Sequence, residues 1–540
     1  MAAAHPKVSI FCSGLLLLLS FWISPIADAA KIFVPQDIAS IQEAIDTSVE
    51  GDEIIVSPGD WIGPFDFLGK NITVRSSAGP EQTRLIGTAA NSVVRFVSGE
   101  ATQALLEGFS IRSGSGSVTS TGICGGGVLI LNSTPTIRNC IIEENSASSG
   151  AGVHIEGPTF GIVVFEDVII RNNNAADAGG GVTMVSSAEV TMTNCVIENN
   201  FALVVSGGIQ CEESTLTAST CTLSGNSSSL AVGGAWIFLD SEAQFLNCVI
   251  ENNESPISGG GIVISDLGRA TLDGCVIRDN FGGSSGGGVL LDSGSRQEDQ
   301  VIRGCVFHNN YSADGGAHLA VSFNPVSLVV EKCTFGLTAV NSGSAISVNN
   351  GNLEAVSIDS SVILPGAGLS IEAIPGSTLV QYSCVEDLLA TSVMAIDTID
   401  MDPLFTDAAN GIYTLEPGSP CIDNGNPLLP FDVDGTITDM GALGPALVPV
   451  RGFRRGDVDQ SGIANIADAI QLLSFLFGPG SGVATCADAM DCNDDGSLNL
   501  ADAISLLDTL FLSGDPLPTP HLECGQDPTA DSLTCDSYCS

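Results

Sequence analysis

Along most of the chain, apolar residues come in runs of three to five, rich in Val and Ile and punctuated by Gly, Asn and Ser. Runs this short and this β-branched suit buried strands and not helices. They also recur at a nearly fixed spacing, marked by Cys195, Cys221, Cys248, Cys275, Cys305 and Cys333. Cys140 stands two periods before the first of them, and Asp167 fills the intermediate position. Five residues beyond each anchor from 140 to 305 lies an asparagine: Asn145, Asn172, Asn200, Asn226, Asn253, Asn280 and Asn310. Small-residue clusters follow, such as Gly179-Gly180-Gly181, Gly207-Gly208, Gly259-Gly260-Gly261 and Gly286-Gly287-Gly288, and then short strands such as Ile262-Val263-Ile264. This is a structural repeat, one coil per period. A coil of about 27 residues holds roughly three short strands, and coils stacked about 4.8 Å apart pair every strand with its equivalents above and below.

Stacking predicts columns of identical side chains. The cysteine column reads as small buried hydrophobes, with vertical disulfides as the alternative. The asparagines are expected to bond turn backbone and to tolerate left-handed conformation. The glycines permit positive φ and close approach of coils.

The pattern changes at both ends. Val8 to Ile23 is a leucine-rich apolar run after Lys7, and Ala27-Asp28-Ala29 suits small-residue cleavage, so residues 1–29 read as a secretory signal peptide, with an uncleaved anchor as the alternative. No later stretch reaches the roughly 20 apolar residues that span a bilayer. Ile38, Ile41, Gln42 and Ile45 suit a short amphipathic helix that would cap the open end of a β-stack. After Val448-Pro449-Val450, two near-copies appear, each followed by an amphipathic segment, Ala469 to Phe477 and Ala503 to Leu512. The expected organisation is therefore signal peptide 1–29, a mainly β solenoid over 30–447 with its N-terminal cap, and a small α-helical calcium-binding domain over 448–540.

The segment IFVPQDIASIQEAI, VEGDEIIVSPGDW and GKNITVRSS resembles the N-terminal cap and first coils of the pectin-lyase-like right-handed parallel β-helix superfamily. The Cys-x-Ile-x-x-Asn and Gly-Gly-Gly-Val units are similar to repeats of large exported bacterial proteins and of chlamydial polymorphic membrane proteins. Tyr382 to Ala442 (YSCV, DPLF, SPCIDNGNP, DVDGTITDMGA) resembles the closing segment of the same bacterial proteins. The resemblance covers about residues 31–447 and implies a right-handed parallel β-helix. Members of that superfamily include lyases, hydrolases, esterases and epimerases, so it implies the fold more firmly than an activity.

The two near-copies begin at Asp457 and Asp491. Calcium takes six to eight hard oxygens, and a loop with oxygen side chains at positions 1, 3, 5 and 12, a carbonyl at 7 and glycine at 6 supplies them. Both copies fit, and empty acidic turns are the alternative. Duplicated EF-hand-type loop-helix units with Asp at position 12 resemble type I dockerin domains. The resemblance implies one calcium ion (Ca2+) on Asp457, Asp459, Ser461, the Ile463 carbonyl and Asp468, with Asn465 direct or through water. It implies a second on Asp491, Asn493, Asp495, the Ser497 carbonyl and Asp502, with Asn499 likewise, and a cohesin-like protein partner. Two departures stand out: Ser461 replaces the usual acidic or amide ligand, and positions 10 and 11 are Ile466-Ala467 and Leu500-Ala501 where many dockerins carry hydroxyls. Cys486, Cys492 and the three cysteines between Cys524 and Cys539 are expected to include one or two disulfides in an exported chain.

Charge narrows the partners. With 62 acidic against 17 basic residues the net charge is −45, which argues against nucleic acid, whose phosphates require clustered Lys and Arg. Charged residues are only 15% and hydrophobic ones 44%, so the chain is not a disordered acidic polymer. Catalytic patterns are sparse. Glu143, Glu198 and Glu251 share a column with Ser224, Arg278 and His308, which reads as a solvated face; His154, His308 and His318 are scattered. Asp432, Asp434 and Asp439 form the densest carboxylate group of the solenoid, with a structural or metal role. Two functions fit: a secreted or cell-surface protein that binds polysaccharide or serves as a scaffold or adhesin, and a polysaccharide lyase or glycoside hydrolase attached through its dockerin. A side cleft with two carboxylates on neighbouring coils would favour the second.

Overall fold

The computed structural model describes residues 29–88, 91–157, 161–292, 300–322, 327–349, 356–366, 368–388, 392–432, 434–442, 454–458, 464–477, 486–511 and 517–521. The signal peptide expected over residues 1–29 lies outside these residues up to position 28, as does the cysteine-bearing tail from 522. No described helix is long and apolar enough to cross a membrane.

The repeat builds a parallel β-solenoid. Three long sheets of 15, 13 and 12 strands run its length, and a fourth of 8 short strands forms a ledge along one corner. One coil visits all four. In the coil that starts at Thr136, the chain passes through Thr136–Arg138 of the first sheet, Ile141–Glu143 of the second, Ser146–Ser149 of the ledge and Val153–Glu156 of the third. It then returns to the first sheet one coil on, at Val163–Glu166, in parallel register with Thr136–Arg138. Inward positions carry one apolar residue per coil, for example Ile142, Ile170, Ile197, Leu223, Ile250, Ile277 and Phe307 on the second sheet, all inaccessible to solvent. Each strand is too short to bury a core alone. The columns are the core.

The second sheet is bent at both ends by one left-handed residue. Asn139, Asp167, Asn194, Thr220 and Asn247 precede it, with φ from 48° to 54°, and Asn172, Asn199, Asn252 and Asn309 follow it, with φ from 49° to 54°. Asn, which tolerates this region best among non-glycine residues, is favoured there. The corners correct one coil of the sequence reading. Asp167 is a corner, and the anchor of its coil is the buried Val168, whose carbonyl accepts from Val196. The asparagine in the buried column is therefore Asn173, and Asn172 is the left-handed corner beside it. The two tasks assigned to one asparagine are divided between neighbours, which is why several coils read Asn-Asn.

The cysteine column is built of free, buried thiols. Cys195 Sγ lies 3.3 Å from the Thr193 carbonyl and 3.6 Å from the Phe165 carbonyl one coil back, and the pattern repeats through Cys333. Burial pushes the Cys140 thiol up to about 12. Beyond Cys333 the column continues as Ser361 and Ser383, whose hydroxyls donate to Asp359 and Gln381 carbonyls at 2.8 and 2.7 Å.

The N-terminal helix runs over Ile41–Thr47, with Ser40 as its N-cap and Ile41, Ala44 and Ile45 buried on the first coil. Lys70 Nζ donates to the carbonyls of Ile45, Asp46 and Ser48 at its C-terminal end, at 2.6, 2.8 and 2.8 Å. At the other end, the closing segment forms an antiparallel pair, Phe405–Asp407 with Ile412–Leu415, and folds back onto the solenoid. Asn426 reaches Asp359 at 2.7 Å, and Lys332 reaches Asp432 at 2.7 Å.

Candidate functional site

In the C-terminal region, helices Ile466–Phe477 and Leu500–Phe511 are offset in sequence by the same interval as the two loops that precede them. They share a small core of Val458, Ala469, Leu472, Met490, Cys492, Ala503, Leu506 and Leu517. Both begin three residues before the predicted Ala469 and Ala503, because an asparagine caps each: Asn465 Oδ1 accepts from Ala467 N–H and Asn499 Oδ1 from Ala501 N–H, both at 2.8 Å.

The second loop is described throughout. Asp491 and Asp502, its first and twelfth residues, are buried. Asp491 accepts from Asp495 and Gly496 N–H at 3.2 and 2.8 Å, and Asp502 from Asn493 and Asn499 N–H at 3.4 and 2.8 Å. Gly496 takes φ 75°, as the sixth position of such a loop requires. Asp495 accepts from Ser497 N–H at 3.0 Å and from the Asn493 amide at 2.9 Å, and the Ser497 carbonyl accepts from Asn499 at 2.9 Å. In the first loop, Asp457 and Asp468 are buried, and Asp468 accepts from Asn465 N–H at 2.7 Å, as Asp502 does from Asn499. Asp459, Ser461 and Ile463 lie outside the described residues.

Among the described residues, no three His, Cys, Asp or Glu side chains converge as a metal would require. An EF-hand-type loop, however, draws on an amide and a backbone carbonyl beside its carboxylates. The fit rests on Asp491 and Asp502, whose carboxylates meet inside the loop. Burial first, then the neighbouring Asp491, pushes Asp502 up to about 6. Two buried like charges in contact favour a cation between them.

On the second sheet, the column that holds Glu143, Glu198 and Glu251 is a ladder of alternating charge. Arg112, Glu143, Arg171, Glu198, Ser224, Glu251, Arg278 and His308 follow in register. Arg171 meets Glu143 at 3.0 Å and Arg278 meets Glu251 at 2.7 Å, with both glutamates largely buried. These carboxylates are held by arginines. The face is thus paired as well as solvated. His308 Nδ1 and the Tyr413 hydroxyl share a hydrogen bond at 2.7 Å, and that oxygen accepts from Leu337 N–H at 2.9 Å, so His308 holds the closing segment. His318, fully buried, accepts from Asn310 at 3.0 Å and donates to the Gly336 carbonyl at 2.9 Å. His154 is equally buried, with no hydrogen-bond partner for either ring nitrogen among the described residues. Asp432, Asp434 and Asp439 lie close together but are engaged within the closing segment: Asp432 accepts from Lys332 and from Asp439 N–H, both at 2.7 Å, Asp434 from Thr436 N–H, and Asp439 from Asp423 N–H.

The outward face of the third sheet carries side chains that the sequence reading passed over. One column runs His154, Thr183, Gln210, Trp236, Val263 and Leu290. The next, two residues along each strand, runs Glu156, Val185, Glu212, Phe238 and Ser265. Trp236 and Phe238 stack at 3.8 Å between ring centroids, and the Trp236 indole donates to Ser265 at 3.0 Å. Beside them the Gln210 amide donates to Glu212 at 3.2 Å, while Gln210 Oε1 has no partner among the described residues. Burial raises the Glu212 carboxyl. The available signal was position: these are the second and fourth residues after each glycine cluster, where other coils carry apolar side chains.

Residues 99–235 and 230–363 match the family model described as the right handed beta helix region, and this part of the chain is a right-handed β-helix repeat. No curated protein matches the chain. Among solved structures it is similar to the pectate lyase Pel9A, at 11% identity and TM-score 0.38, covering 77% of this chain and 96% of that one. It is also similar to the catalytic domain of a GH87 alpha-1,3-glucanase in complex with nigerose, at 15% identity and TM-score 0.29, covering 73% and 69%.

Proposed function

We propose that this is an exported polysaccharide-binding β-helix protein whose C-terminal loops hold two calcium ions and dock a protein partner. The observation that carries the polysaccharide reading is the outward face of the third sheet around Trp236. A half-buried Trp236 indole, backed by the buried Phe238 ring stacked on it, lies one coil from the half-buried Glu212 carboxylate, which the buried Gln210 amide holds. Sugars are bound by this combination of apolar ring contact and directional hydrogen bonds. The chain's −45 charge favours neutral or amino-bearing polymers over polyuronates.

The docking reading is supported by duplication. Ile466, Ile470 and Phe477 are exposed on one helix, and Leu500, Ile504 and Phe511 are exposed at the same positions on the other. Apolar residues repeated this way outside a small core fit a cohesin-like partner with an apolar face, in place of a hydroxyl-reading one. Export is supported by Cys486, which is disulfide-bonded.

A second reading has one observation behind it. Glu156 and Glu212 lie in the same column two coils apart, about 10 Å at ~4.8 Å per coil, close to the ~6.5–9.5 Å separation of inverting glycosidases. Glu212, raised by burial, would be the acid and Glu156 the base. A polysaccharide screen of the mature protein, with and without calcium, tests both readings. Retention without new reducing or unsaturated ends is expected; release of such ends would replace the binding reading by the hydrolytic or lyase one. The Trp236→Ala variant should bind about tenfold more weakly, equivalent to ~1.4 kcal/mol.

A further inference from the structure

Twelve described cysteines carry free thiols, all buried, and two of them stand apart from the rest. Cys384 lies on the last strand of the second sheet, Cys384–Val385, paired with Val362–Ile363. Cys421 belongs to the closing segment, which leaves the last coil and returns to the solenoid from outside. Both are inaccessible to solvent and share one small cluster with Val362, Leu364, Tyr413 and Met440. Within that cluster the two thiols are neighbours. Cys384 Sγ also lies 3.0 Å from the Met401 carbonyl, and the Cys421 backbone is fixed by Met440 N–H at 2.9 Å and by the Ser419 hydroxyl at 3.1 Å.

The thiols of the cysteine column are placed differently. Neighbours there stack one coil apart in the corner between the first and second sheets, outside the strands, so their Cβ atoms follow the coil spacing of about 4.8 Å, beyond the ~3.5–4.5 Å of a disulfide. Cys421 is under no such restriction, because it is not on a rung. We propose that Cys384 and Cys421 form a disulfide that fastens the closing segment to the last coil, leaving the column thiols reduced.

The exchange balances with a protein or small-molecule disulfide as oxidant. The thiolate of one cysteine attacks a donor sulfur, expelling a donor thiolate and forming a mixed disulfide. The second cysteine then attacks the mixed disulfide and expels the other donor thiolate. Two protons and two electrons leave the pair, and one donor disulfide becomes two thiols. Since both sulfurs are buried once the segment has docked, exchange must precede docking or accompany it.

The test uses the whole chain, exported to an oxidising bacterial periplasm, then unfolded without reductant in an alkylating agent and digested for mass spectrometry. The expected result is one cross-linked species joining the Cys384 and Cys421 peptides, two hydrogens lighter than their sum, with Cys195 to Cys333 alkylated. Alkylation of both Cys384 and Cys421, or a bridge from either to another cysteine, overturns the proposal. A second readout needs no intact fold. After proteolysis between residues 392 and 420, the fragment bearing Cys421 should stay with the body on a non-reducing denaturing gel and separate on a reducing one. In Cys421→Ser it should separate on both. Separation of the wild-type fragment without reductant also overturns the proposal.

Discussion

Three histidines show how differently one residue type serves this chain. His308 ties down the closing segment through Tyr413. His318 terminates a chain of buried amides with both ring nitrogens engaged, whereas His154 is buried as deeply with neither engaged among the described residues. Replacing His154 by Leu therefore removes no hydrogen bond, and its column neighbours include Leu129. At pH 7.5 the midpoint of urea unfolding should stay level or rise, whereas His318→Leu should lower stability by about 2 kcal/mol, since it strands Asn310 and the Gly336 carbonyl. Acid acts on both alike. Burial pushes both histidines down to about 4, while in the unfolded chain they titrate near 6.5. Below pH ~6.5 the unfolded chain takes up protons that the folded one refuses. The contribution of each is intact above pH ~6.5 and is lost as pH falls towards 4, on the order of 3 kcal/mol. His154→Leu should flatten the loss of stability between pH 7.5 and 4.5; an unchanged slope would contradict the burial argument.

At the scale of the element, the asparagine column is a continuous hydrogen-bonded ladder. Asn145, Asn173, Asn200, Asn226, Asn253, Asn280 and Asn310 each give an amide N–H to a carbonyl one coil back, and all but the last give a second to the next asparagine. Every one is buried, so Asn253→Leu leaves the Asn226 and Asn280 amides and the Leu223 carbonyl short of partners and should cost about 3 kcal/mol or more by chemical unfolding. The adjoining glycines are set by distance as much as by φ. Gly259 has φ 69°, and a Cβ on Gly260 would come within 2.6 Å of the Gly287 carbonyl on the next coil. Gly260→Ala should therefore lower stability where Gly418→Ala, whose Cβ meets nothing, pays only for its φ of 96°. The ladder's existence was legible because a repeated residue at a repeated offset leaves few other readings. The assignment of Asn172 over Asn173 failed because Asp167 occupied the expected anchor position, and spacing alone does not distinguish a corner from the buried residue beside it. The face around Trp236 was illegible for a related reason: its residues differ from coil to coil, and a repeat search rewards sameness. His154, Gln210 and Trp236 become neighbours only once the register is known.

For the molecule as a whole, the solenoid core and the core of the C-terminal helices are separate clusters. A stack of coils couples each one to its neighbours, so the β-helix should unfold as a large unit, and the small C-terminal helical module should unfold apart from it. Heating should resolve two transitions. A ligand that binds only the folded module stabilises it by about 2.7 kcal/mol at 100 times its dissociation constant, so calcium should move the module's transition upward and leave the solenoid's in place. The loops specify which residues carry that shift. Asp491 and Asp502 face each other in the second loop, and Asp457 and Asp468 are buried at the corresponding places in the first. Removing both carboxylates of one loop, as in Asp491→Ala with Asp502→Ala, should reduce the calcium stoichiometry measured by titration calorimetry from two to one. The double substitution removes a repulsive buried pair but also the acceptors of Asp495, Gly496, Asn493 and Asn499 N–H, so without calcium the variant module should unfold close to the wild type. With calcium, the wild type should overtake it. If calcium gives no heat with the wild-type chain, or if it raises both transitions equally, the loops are not calcium sites of this kind, and the facing aspartates must be held by a shared proton instead.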